Sequence, residues 1–451
     1  MRHPQGGKHL WLWLIISSGL CLNPILSQAA TQAKGHSIAQ LKQELNQLKQ
    51  AYQDKISALE ERLEQLEESA DEAEERTDNL AVEVSQQSNQ QAANTFNPGI
   101  GVILNGRFQA ISPNNFDFNV PGFFPADEIG PGSSGLSLGE SELNLSANVD
   151  DKFYASTTLS FGDGAANVEE AYLQTIALPK GLQVKFGRFF SSIGYLASRH
   201  THTDDFAERP LAYEAFLGGQ YGDAGVQVSW LAPTDIYWES GTEFYQGDSF
   251  PAAGSGHNGS GVYTLYSHIG DDINANQSWR FGLSHLNARV VDRTAIDGSL
   301  FSGDSDLTIA DFIWKWAPDG NPFIHNAKIQ AEYLSRKEKG LFTDPTGLAS
   351  PLNSQQSGYY VQGIYQFMPQ WRVGLRYSRL KADDLLAVFD NSLLDNQGLT
   401  PKRTSFMLDW SNSEFSRLRL QYSRDQAGLT DADIWTLQYI AAFGAHGAHS
   451  F

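Results

Sequence analysis

The sequence predicts an all-β transmembrane barrel of about sixteen antiparallel strands, preceded by an N-terminal α-helical coiled coil. From residue 99 onward, apolar and polar side chains alternate with a period of two, which is the period of a strand with one apolar face. The connections between these segments are short and long in turn, as in membrane barrels. A heptad pattern without Gly or Pro fills residues 38–87 and predicts the coiled coil.

The first residues are typical of an export signal, which we expect to span residues 1–29. Arg2 and Lys8 supply positive charge, an apolar run fills residues 10–22, and Ser27 and Ala29 are small residues at the cleavage positions. The single cysteine lies in the apolar run, so the mature chain would have no disulfide. No later run reaches about 18 consecutive apolar residues, so no membrane-spanning helix is predicted.

Residues 38–87 are predicted to form a periplasmic coiled coil. Apolar residues recur at steps of three and four, with one stutter, at Ile38, Leu41, Leu45, Leu48, Tyr52, Ile56, Leu59 and Leu63. A helix with such a narrow apolar stripe needs a partner, and self-association is the simplest choice. The seam leaves a dimer or a trimer open, and a single solvated helix is the alternative. Residues 88–98 are rich in Gln, Asn and Ser and are predicted to be a linker.

The barrel is expected over residues 99–451. The predicted strands are 100–111, 138–149, 152–161, 167–177, 181–190, 222–232, 235–246, 260–269, 277–289, 305–317, 323–336, 357–368, 370–381, 402–412, 414–424 and 432–443. Most odd-to-even connections are long, namely 112–137, 191–221, 247–259, 290–304, 337–356 and 382–401. All even-to-odd connections are short, and a large soluble β-protein, the alternative, gives no reason for this asymmetry.

Charge and aromatic placement favour the outer membrane of a Gram-negative bacterium. The formal charge is −20 for the chain and −15 for residues 88–451, which argues against nucleic acid as a partner. Trp residues lie near predicted strand ends, where interfacial girdles form, at Trp230, Trp238, Trp279, Trp316, Trp371 and Trp435. The partners expected are therefore outer-membrane lipid and small hydrophilic solutes or ions.

Three stretches resemble the phosphate-selective porin O/P family. They are residues 168–174 (VEEAYLQ), 181–190 (GLQVKFGRFF) and 223–227 (DAGVQ), which correspond to adjoining strands four to six of such a barrel. The resemblance implies a sixteen-stranded porin, assembled as a homotrimer, that passes small solutes by passive diffusion. The family's phosphate-selective members line the lumen with basic residues, whereas this barrel region is net negative, so phosphate is not carried over as the substrate.

Selectivity is expected to depend on a charged constriction. The third external loop, residues 191–221, is the longest and carries His200, His202, Asp204, Asp205 and Glu208. Strand parity places further charges inward, at Glu140 and Glu142, Glu239 and Glu243, Arg372 and Arg376, and Arg417 and Arg419. These residues predict an acidic wall and loop facing a basic wall, a field that favours small polar solutes. Solvated lumen charges with no shared constriction are the alternative.

Two other functions are weaker alternatives. His200, His202 and Asp204 have the chemistry of a zinc or copper site, and a zinc-uptake channel would follow, but their spacing fits no specific motif and no cofactor is expected. A structural tether would link the barrel to the cell wall through the coiled coil. No enzyme is expected, because no nucleophile motif accompanies the strand histidines, and Glu169 and Glu170, adjacent in a strand, are predicted to face opposite sides.

Overall fold

A computed structural model describes residues 98–124, 129–162, 165–253 and 260–444, together with four residues near position 50. The chain divides into two units, Met1–Thr95 and Phe96–Phe451. In the first unit the four described residues, Lys49, Gln50, Gln53 and Ser57, are helical. The predicted signal peptide, the other residues of the predicted coiled coil and the linker up to residue 97 lie outside the described residues, and the coiled coil as a whole stays a prediction.

The second unit consists of strands joined by turns and loops, with one short α-helix among its described residues. The strands are β1 (Gly99–Ser112), β2 (Gly135–Leu138), β3 (Ser141–Asn148), β4 (Phe153–Gly162), β5 (Ala165–Thr175), β6 (Leu182–Phe190), β7 (Gly222–Leu231), β8 (Tyr237–Tyr245), β9 (Val262–Asn274), β10 (Gln277–Thr294), β11 (Leu300–Trp316), β12 (Asn326–Thr343), β13 (Ala349–Met368), β14 (Trp371–Ala382), β15 (Lys402–Ser413), β16 (Ser416–Gln426) and β17 (Ala432–Gly444). The helix is α1 (Leu211–Leu217), and single 3-10 turns cover Pro179–Gly181, Thr201–Thr203, Pro318–Gly320 and Ala387–Phe389.

The strands close into a ring of antiparallel neighbours. β1 pairs with β17 from Gly101↔Gly444 to Ser112↔Asp433, which closes the barrel. β2 and β3 both pair with β1 and form one strand position interrupted at residues 139–140, so the ring has sixteen positions. The predicted barrel and its strand number are confirmed. No helix among the described residues is long and apolar enough to cross a membrane.

The two faces of the barrel are inverted relative to a soluble protein. On β14, Leu375 points outward and is 57% exposed, whereas Arg376, its neighbour, points inward and is 2% exposed. The same alternation places further large apolar side chains on the outer face, including Phe281, Leu283, Phe312, Phe406, Leu420 and Leu437. Because a strand sends successive side chains to opposite faces, the polar side chains face the interior, together with some inward apolar ones such as Leu307 and Leu334.

Tryptophans collect at the end where the turns are short. Trp230 and Trp238 lie edge to face with ring centroids 5.7 Å apart, and Trp371 and Trp410 stack at 6.2 Å across β14 and β15. Each of these residues lies near a short turn, at the start of its strand for Trp238 and Trp371 and near the end of its strand for Trp230 and Trp410. Aromatic rings of this kind belong at a membrane–water interface, because one edge is apolar and the other donates a hydrogen bond.

Two of the predicted long loops are wrong. Residues 290–304 and 337–356 are mostly strand, and only residues 295–299 and 344–348 connect β10 to β11 and β12 to β13. In these extensions of the strands the outward residues are charged, as in the pair of Asp304 and Lys339, and are not apolar as they are nearer the middle of the barrel. The strands therefore continue, with Phe301 and Phe342 still buried inside, while the apolar–polar alternation that identifies a strand in the sequence is lost.

Candidate functional site

The third loop, residues 191–221, lies inside the barrel. All seven residues of α1 are buried, and Gly218 ends the helix in the left-handed conformation at φ 63°. The loop packs against inward residues of the wall in one apolar cluster, which includes Ile193, Leu196, Leu211, Phe216, Leu307, Ile309, Leu334 and Tyr360. The loop therefore occupies the lumen.

The loop passes close to the wall at Gly194. Its amide donates to Ser284 Oγ at 3.1 Å, and its carbonyl accepts from Arg280 at 3.2 Å. The next amide, that of Tyr195, donates to Glu332 Oε2 at 3.1 Å. Gly194 has φ +63°, and a Cβ there would lie 2.5 Å from the Glu332 carboxylate. Both the left-handed backbone conformation and the lack of room for a side chain therefore require glycine.

Three carboxylates of the loop meet cations of the opposite wall. Asp205 lies 2.5 Å from Lys328 and 3.3 Å from Arg372. Glu208 pairs with Arg376 at 2.8 Å. In α1, Glu214 accepts two hydrogen bonds from Arg403, at 3.0 and 3.3 Å. Charge-assisted bonds of this kind are stronger than neutral ones, so they hold the loop on strands β12, β14 and β15.

Two more arginines hold the loop through its backbone. Arg417 donates to the carbonyl of His202 at 2.5 Å, and Arg419 donates to the carbonyl of Asp204 at 2.7 Å. Arg419 also pairs with Asp409 of β15 at 2.8 Å. The predicted basic wall, Arg372, Arg376, Arg417 and Arg419, thus points into the lumen and contacts the loop. Three of its four guanidinium groups pair with carboxylates of the loop or of Asp409, whereas the sequence predicts a transverse field between this basic wall and an acidic wall with the loop.

Two of the loop carboxylates, Asp205 and Glu208, are held in the charged form. Burial opposes the charge of Asp205, but Lys328 and Arg372 outweigh it and hold the pKa of this carboxyl well below its ordinary value. Burial likewise opposes the charge of Glu208, and Arg376 lowers its pKa. Both groups therefore remain anions at neutral pH, and the ion pairs stay formed.

On the acidic side, Glu243 of β8 anchors the beginning of the loop. It accepts hydrogen bonds from the Ser192 amide at 2.9 Å, from Gln227 at 2.7 Å and from Thr264 at 2.6 Å. Glu239, on the same face of β8, accepts a hydrogen bond from the hydroxyl of Tyr237 and a long one, at 3.4 Å, from Tyr266. Both predicted glutamates lie on the inward face, where Glu243 is fully buried.

The loop histidines contact glutamates of β3 and β5. His202 Nδ1 lies 2.6 Å from Glu142. His200 Nδ1 lies 3.2 Å from Glu142 and 3.3 Å from Glu169, and its Nε2 lies 3.1 Å from Glu170. The two imidazole rings stack with centroids 5.7 Å apart. We call Glu142, Glu169, Glu170, His200 and His202 the histidine–glutamate cluster.

The prediction that Glu169 and Glu170 face opposite sides is wrong. β4 pairs Thr158 with Glu170 and Leu159 with Val168, so Glu169 is an extra residue in β5. A bulge of this kind turns two successive side chains to one side. A bulge leaves no mark in the alternation of this segment, so the sequence does not indicate that both carboxylates approach His200.

The predicted metal set of His200, His202 and Asp204 is also not brought together. Asp204 forms an ion pair with Arg209 at 2.8 Å. The group whose ligand atoms converge is Glu142, His200 and His202. Burial disfavours the charge of His200, but the carboxylates of Glu142, Glu169 and Glu170 outweigh it and raise its pKa to about 12. The cluster is thus a strongly negative environment.

A cavity of ≈ 320 Å³ lies beside the loop, on the side of the short turns. Its lining is basic and aromatic, formed by Tyr195, Arg199, Tyr237, Ser278, Trp279, Arg280, Ile313 and Lys315. The guanidinium groups of Arg199 and Arg280 lie 4.2 and 4.9 Å from the centroid of the Tyr195 ring. No pattern in the sequence predicts this cavity, and Arg403 is not among the predicted site residues, although strand parity places it inward.

No family model matches the chain. It is 32% identical over 337 residues to an uncharacterized protein of Aquifex aeolicus (strain VF5), a match that covers 70% of each chain. Among solved structures, the outer membrane channel DcaP of Acinetobacter baumannii is 14% identical, with 77% of this chain and 97% of that chain covered and a TM-score of 0.49. An anion-selective porin from Comamonas acidovorans is 13% identical, with 77% and 99% covered and a TM-score of 0.46. The resemblance to the phosphate-selective porin O/P family stays a prediction.

Proposed function

This chain belongs to the same protein family as the uncharacterized protein of Aquifex aeolicus, and we propose that it is an outer-membrane channel for small hydrophilic solutes or ions. The single observation that carries the proposal is a closed sixteen-position barrel that is apolar outside, polar inside and crossed by a charged loop. A closed ring satisfies every backbone hydrogen bond of a membrane-spanning sheet, which an open sheet in lipid cannot do.

The outer face supports the membrane location. Large apolar side chains on every second position, such as Leu375 and Phe406, would be in water if the barrel were soluble. Contiguous apolar surface of this extent is rare on soluble monomers. The tryptophans at the short-turn end match the interfacial girdle of outer-membrane barrels, whose short turns face the periplasm.

Selectivity is proposed to come from the third loop. Its carboxylates and the arginines that bind them give the narrowed lumen charges of both signs, while the cavity on the short-turn side is basic. Charged and hydrogen-bonding groups at close quarters favour solutes that carry their own charges or dipoles over apolar ones. Passive diffusion of small hydrophilic solutes fits this lining, and no observation singles out phosphate.

The test is the reversal potential of the purified full-length protein in planar bilayers under a KCl gradient. Open channels with a defined ion preference are the expected result. Cation preference would mean that the net negative charge of the barrel dominates, and anion preference would mean that the basic cavity and arginine wall dominate. A folded protein that forms no channels would overturn the proposal and leave the barrel as a membrane anchor.

We also propose that the chain self-associates as a homotrimer, with the coiled coil in the periplasm. The heptad seam of residues 38–87 supports self-association, because its narrow apolar stripe needs a partner. Light scattering of the detergent-solubilised full-length protein should give a mass three times that of one chain after subtraction of detergent. A monomeric mass would contradict the proposal.

A further inference from the structure

We propose that the histidine–glutamate cluster binds one divalent transition-metal ion, of which Zn²⁺ is the best fit, between the third loop and the barrel wall. Glu142, His200 and His202 would be the ligands, with Glu169 or Glu170 completing the coordination. The inference goes beyond the proposed channel and does not depend on it, because metal binding is measurable whether or not the barrel conducts.

The geometry of the three ligand residues fits one ion. One ligand atom from each lies within 4.8 Å of the others. Zinc binds imidazole nitrogen and carboxylate oxygen at about 2.0–2.2 Å, which places neighbouring tetrahedral ligand atoms about 3.3 Å apart. His200 Nδ1 and Glu142 Oε2 lie 3.2 Å apart, so they need little movement to bind the same ion.

The cluster carries an excess of negative charge, and a metal ion bound there would displace the protons of the imidazole nitrogens that act as ligands. Three carboxylates converge on two imidazoles, and the side chains of Glu142 and Glu169 are only 3% and 9% exposed. The side chain of Glu169 also forms a hydrogen bond with another carboxyl, that of Glu140, so a fourth acidic group borders the cluster. Burying several carboxyl groups together is costly, and a divalent cation supplies both compensating charge and bonds to their oxygens.

The surrounding structure holds the ligands in place. The bulge at Glu169 turns two carboxylates of β5 toward His200. The interruption between β2 and β3 adds one residue beside Glu142, since Gly106 pairs with Leu138 but Ile103 pairs with Glu142. Bulges next to sites of chemistry re-aim side chains in this way. On the loop side, Arg417 fixes the carbonyl of His202.

The ligand types favour zinc over the common alkaline-earth ions. Mg²⁺ and Ca²⁺ prefer sites built from oxygen, whereas two imidazoles and a carboxylate suit Zn²⁺ and neighbouring transition metals. The competing interpretation is a latch without metal, in which the imidazoles simply pair with the glutamates. Both interpretations join the loop to β3 and β5, and metal binding separates them.

The experiment is isothermal titration of Zn²⁺ into the full-length protein after EDTA treatment and dialysis. The expected result is one Zn²⁺ per chain, with two nitrogen ligands in its X-ray absorption spectrum. The H200Q/H202Q variant should bind Zn²⁺ about 100-fold or more weakly, because loss of two ligands exceeds the effect of outer contacts. The matched control is H446Q/H449Q, which removes the other closely spaced histidine pair and should bind as the natural sequence does.

A folding defect is separated from loss of a ligand by a second variant. E142Q keeps the size of the side chain and should weaken Zn²⁺ binding while the protein keeps its heat-modifiable migration as a folded barrel. Zn²⁺ binding that is absent in the natural protein, or unchanged in H200Q/H202Q, would overturn the proposal in favour of the metal-free latch. A protein that conducts but does not bind zinc would overturn only the proposed metal site. A protein that binds zinc but does not conduct would overturn only the proposed channel.

Discussion

Arg403 of β15 and Glu214 of α1 form a buried two-bond ion pair, with N–O distances of 3.0 and 3.3 Å. Arg403 also pairs with Asp425 of β16 at 2.6 Å, so one guanidinium joins the loop helix to two strands. Burial raises the pKa of Glu214, and the guanidinium of Arg403 works against that rise. The pair therefore decides how firmly α1 sits in the lumen.

Replacing Arg403 should lower the stability of the loop more than replacing Glu214. R403M leaves both Glu214 and Asp425 buried without their partner and should destabilise the loop by about 3–5 kcal/mol. E214Q leaves Arg403 paired with Asp425 and should cost about 1–3 kcal/mol. Thermal unfolding in detergent and limited proteolysis of the loop, each applied to both variants, measure which substitution destabilises the protein more. R424Q, in an exposed ion pair with Asp433, is the control and should change little. Equal effects of R403M and E214Q would contradict this account of the pair.

Neutralising one arginine of the wall should shift ion preference toward cations. Without Arg372, Asp205 keeps Lys328 and Asp409 keeps Arg419, so R372Q removes lumen charge while both carboxylates stay paired. The reversal potential under a KCl gradient measures the shift. R379Q lies outward on the same strand, changes the net charge equally and should leave the reversal potential as it was. The same shift in both variants would mean that net charge, and not the lumen, sets the preference.

The ion pairs of Asp205, which help to hold the loop on the wall, should be lost only at low pH. Lys328 and Arg372 overcome burial and lower the pKa of Asp205 below its ordinary value of 3.8. A carboxyl with a lowered folded pKa contributes stability that is complete above its ordinary pKa and is lost as the pH falls through the folded value. The contribution of Asp205 to loop protection, measured as the difference in protease resistance between the natural protein and D205N, should therefore be constant from pH 8 to about pH 5 and decline only below about pH 4.

The variant D205N tests the assignment of this pH dependence. It removes the titrating carboxyl and should show weaker loop protection at neutral pH with a smaller decline in acid. A difference between the natural protein and D205N that is already lost near pH 6 would contradict the role of Asp205.

The substitution G194A should weaken the packing of the loop against the barrel wall and lower the melting temperature. The added Cβ would lie 2.5 Å from the Glu332 carboxylate and 2.7 Å from the Tyr213 hydroxyl, in a left-handed conformation. The backbone alone costs about 1–2 kcal/mol, and the close contacts add to it. G219A, in the same loop at φ +90° with open space around it, isolates the backbone contribution. Equal losses in melting temperature for G194A and G219A would show that the contact with β12 carries no energy.

The sequence predicts the barrel well because one physical rule governs most of it. A strand between lipid and water must alternate, so the parity that places Arg372 and Arg376 inward is visible directly. Where lipid no longer contacts the outer face, as at Lys339, the outward residues need not be apolar. The strands continue there, but the sequence no longer alternates and so does not predict them. The prediction is therefore good for the apolar band and poor beyond it.

The site is less predictable than the barrel, because its contacts depend on register and on the path of the loop. Glu169 approaches His200 only because of a bulge, and Asp204 turns to Arg209 and away from the histidines. Strand parity indicates that Arg403 faces inward, but the partner Glu214 lies 189 residues earlier in the chain. Contacts of this range have no periodic signature in a single sequence.

The hydrogen bonds between the third loop and β16 also impose an order on assembly. The carbonyl of His202 and that of Asp204 bind arginines 215 residues later, on β16, and the carboxylate of Glu208 reaches Ser423 on the same strand. Contacts so distant in sequence form late, because the intervening chain must first be brought into place. A barrel that lacks β16 would leave these two carbonyls and Glu208 without those donors, so the loop settles fully only when the last strands arrive. The seated loop is then a sign, readable by protease resistance, that the ring has closed.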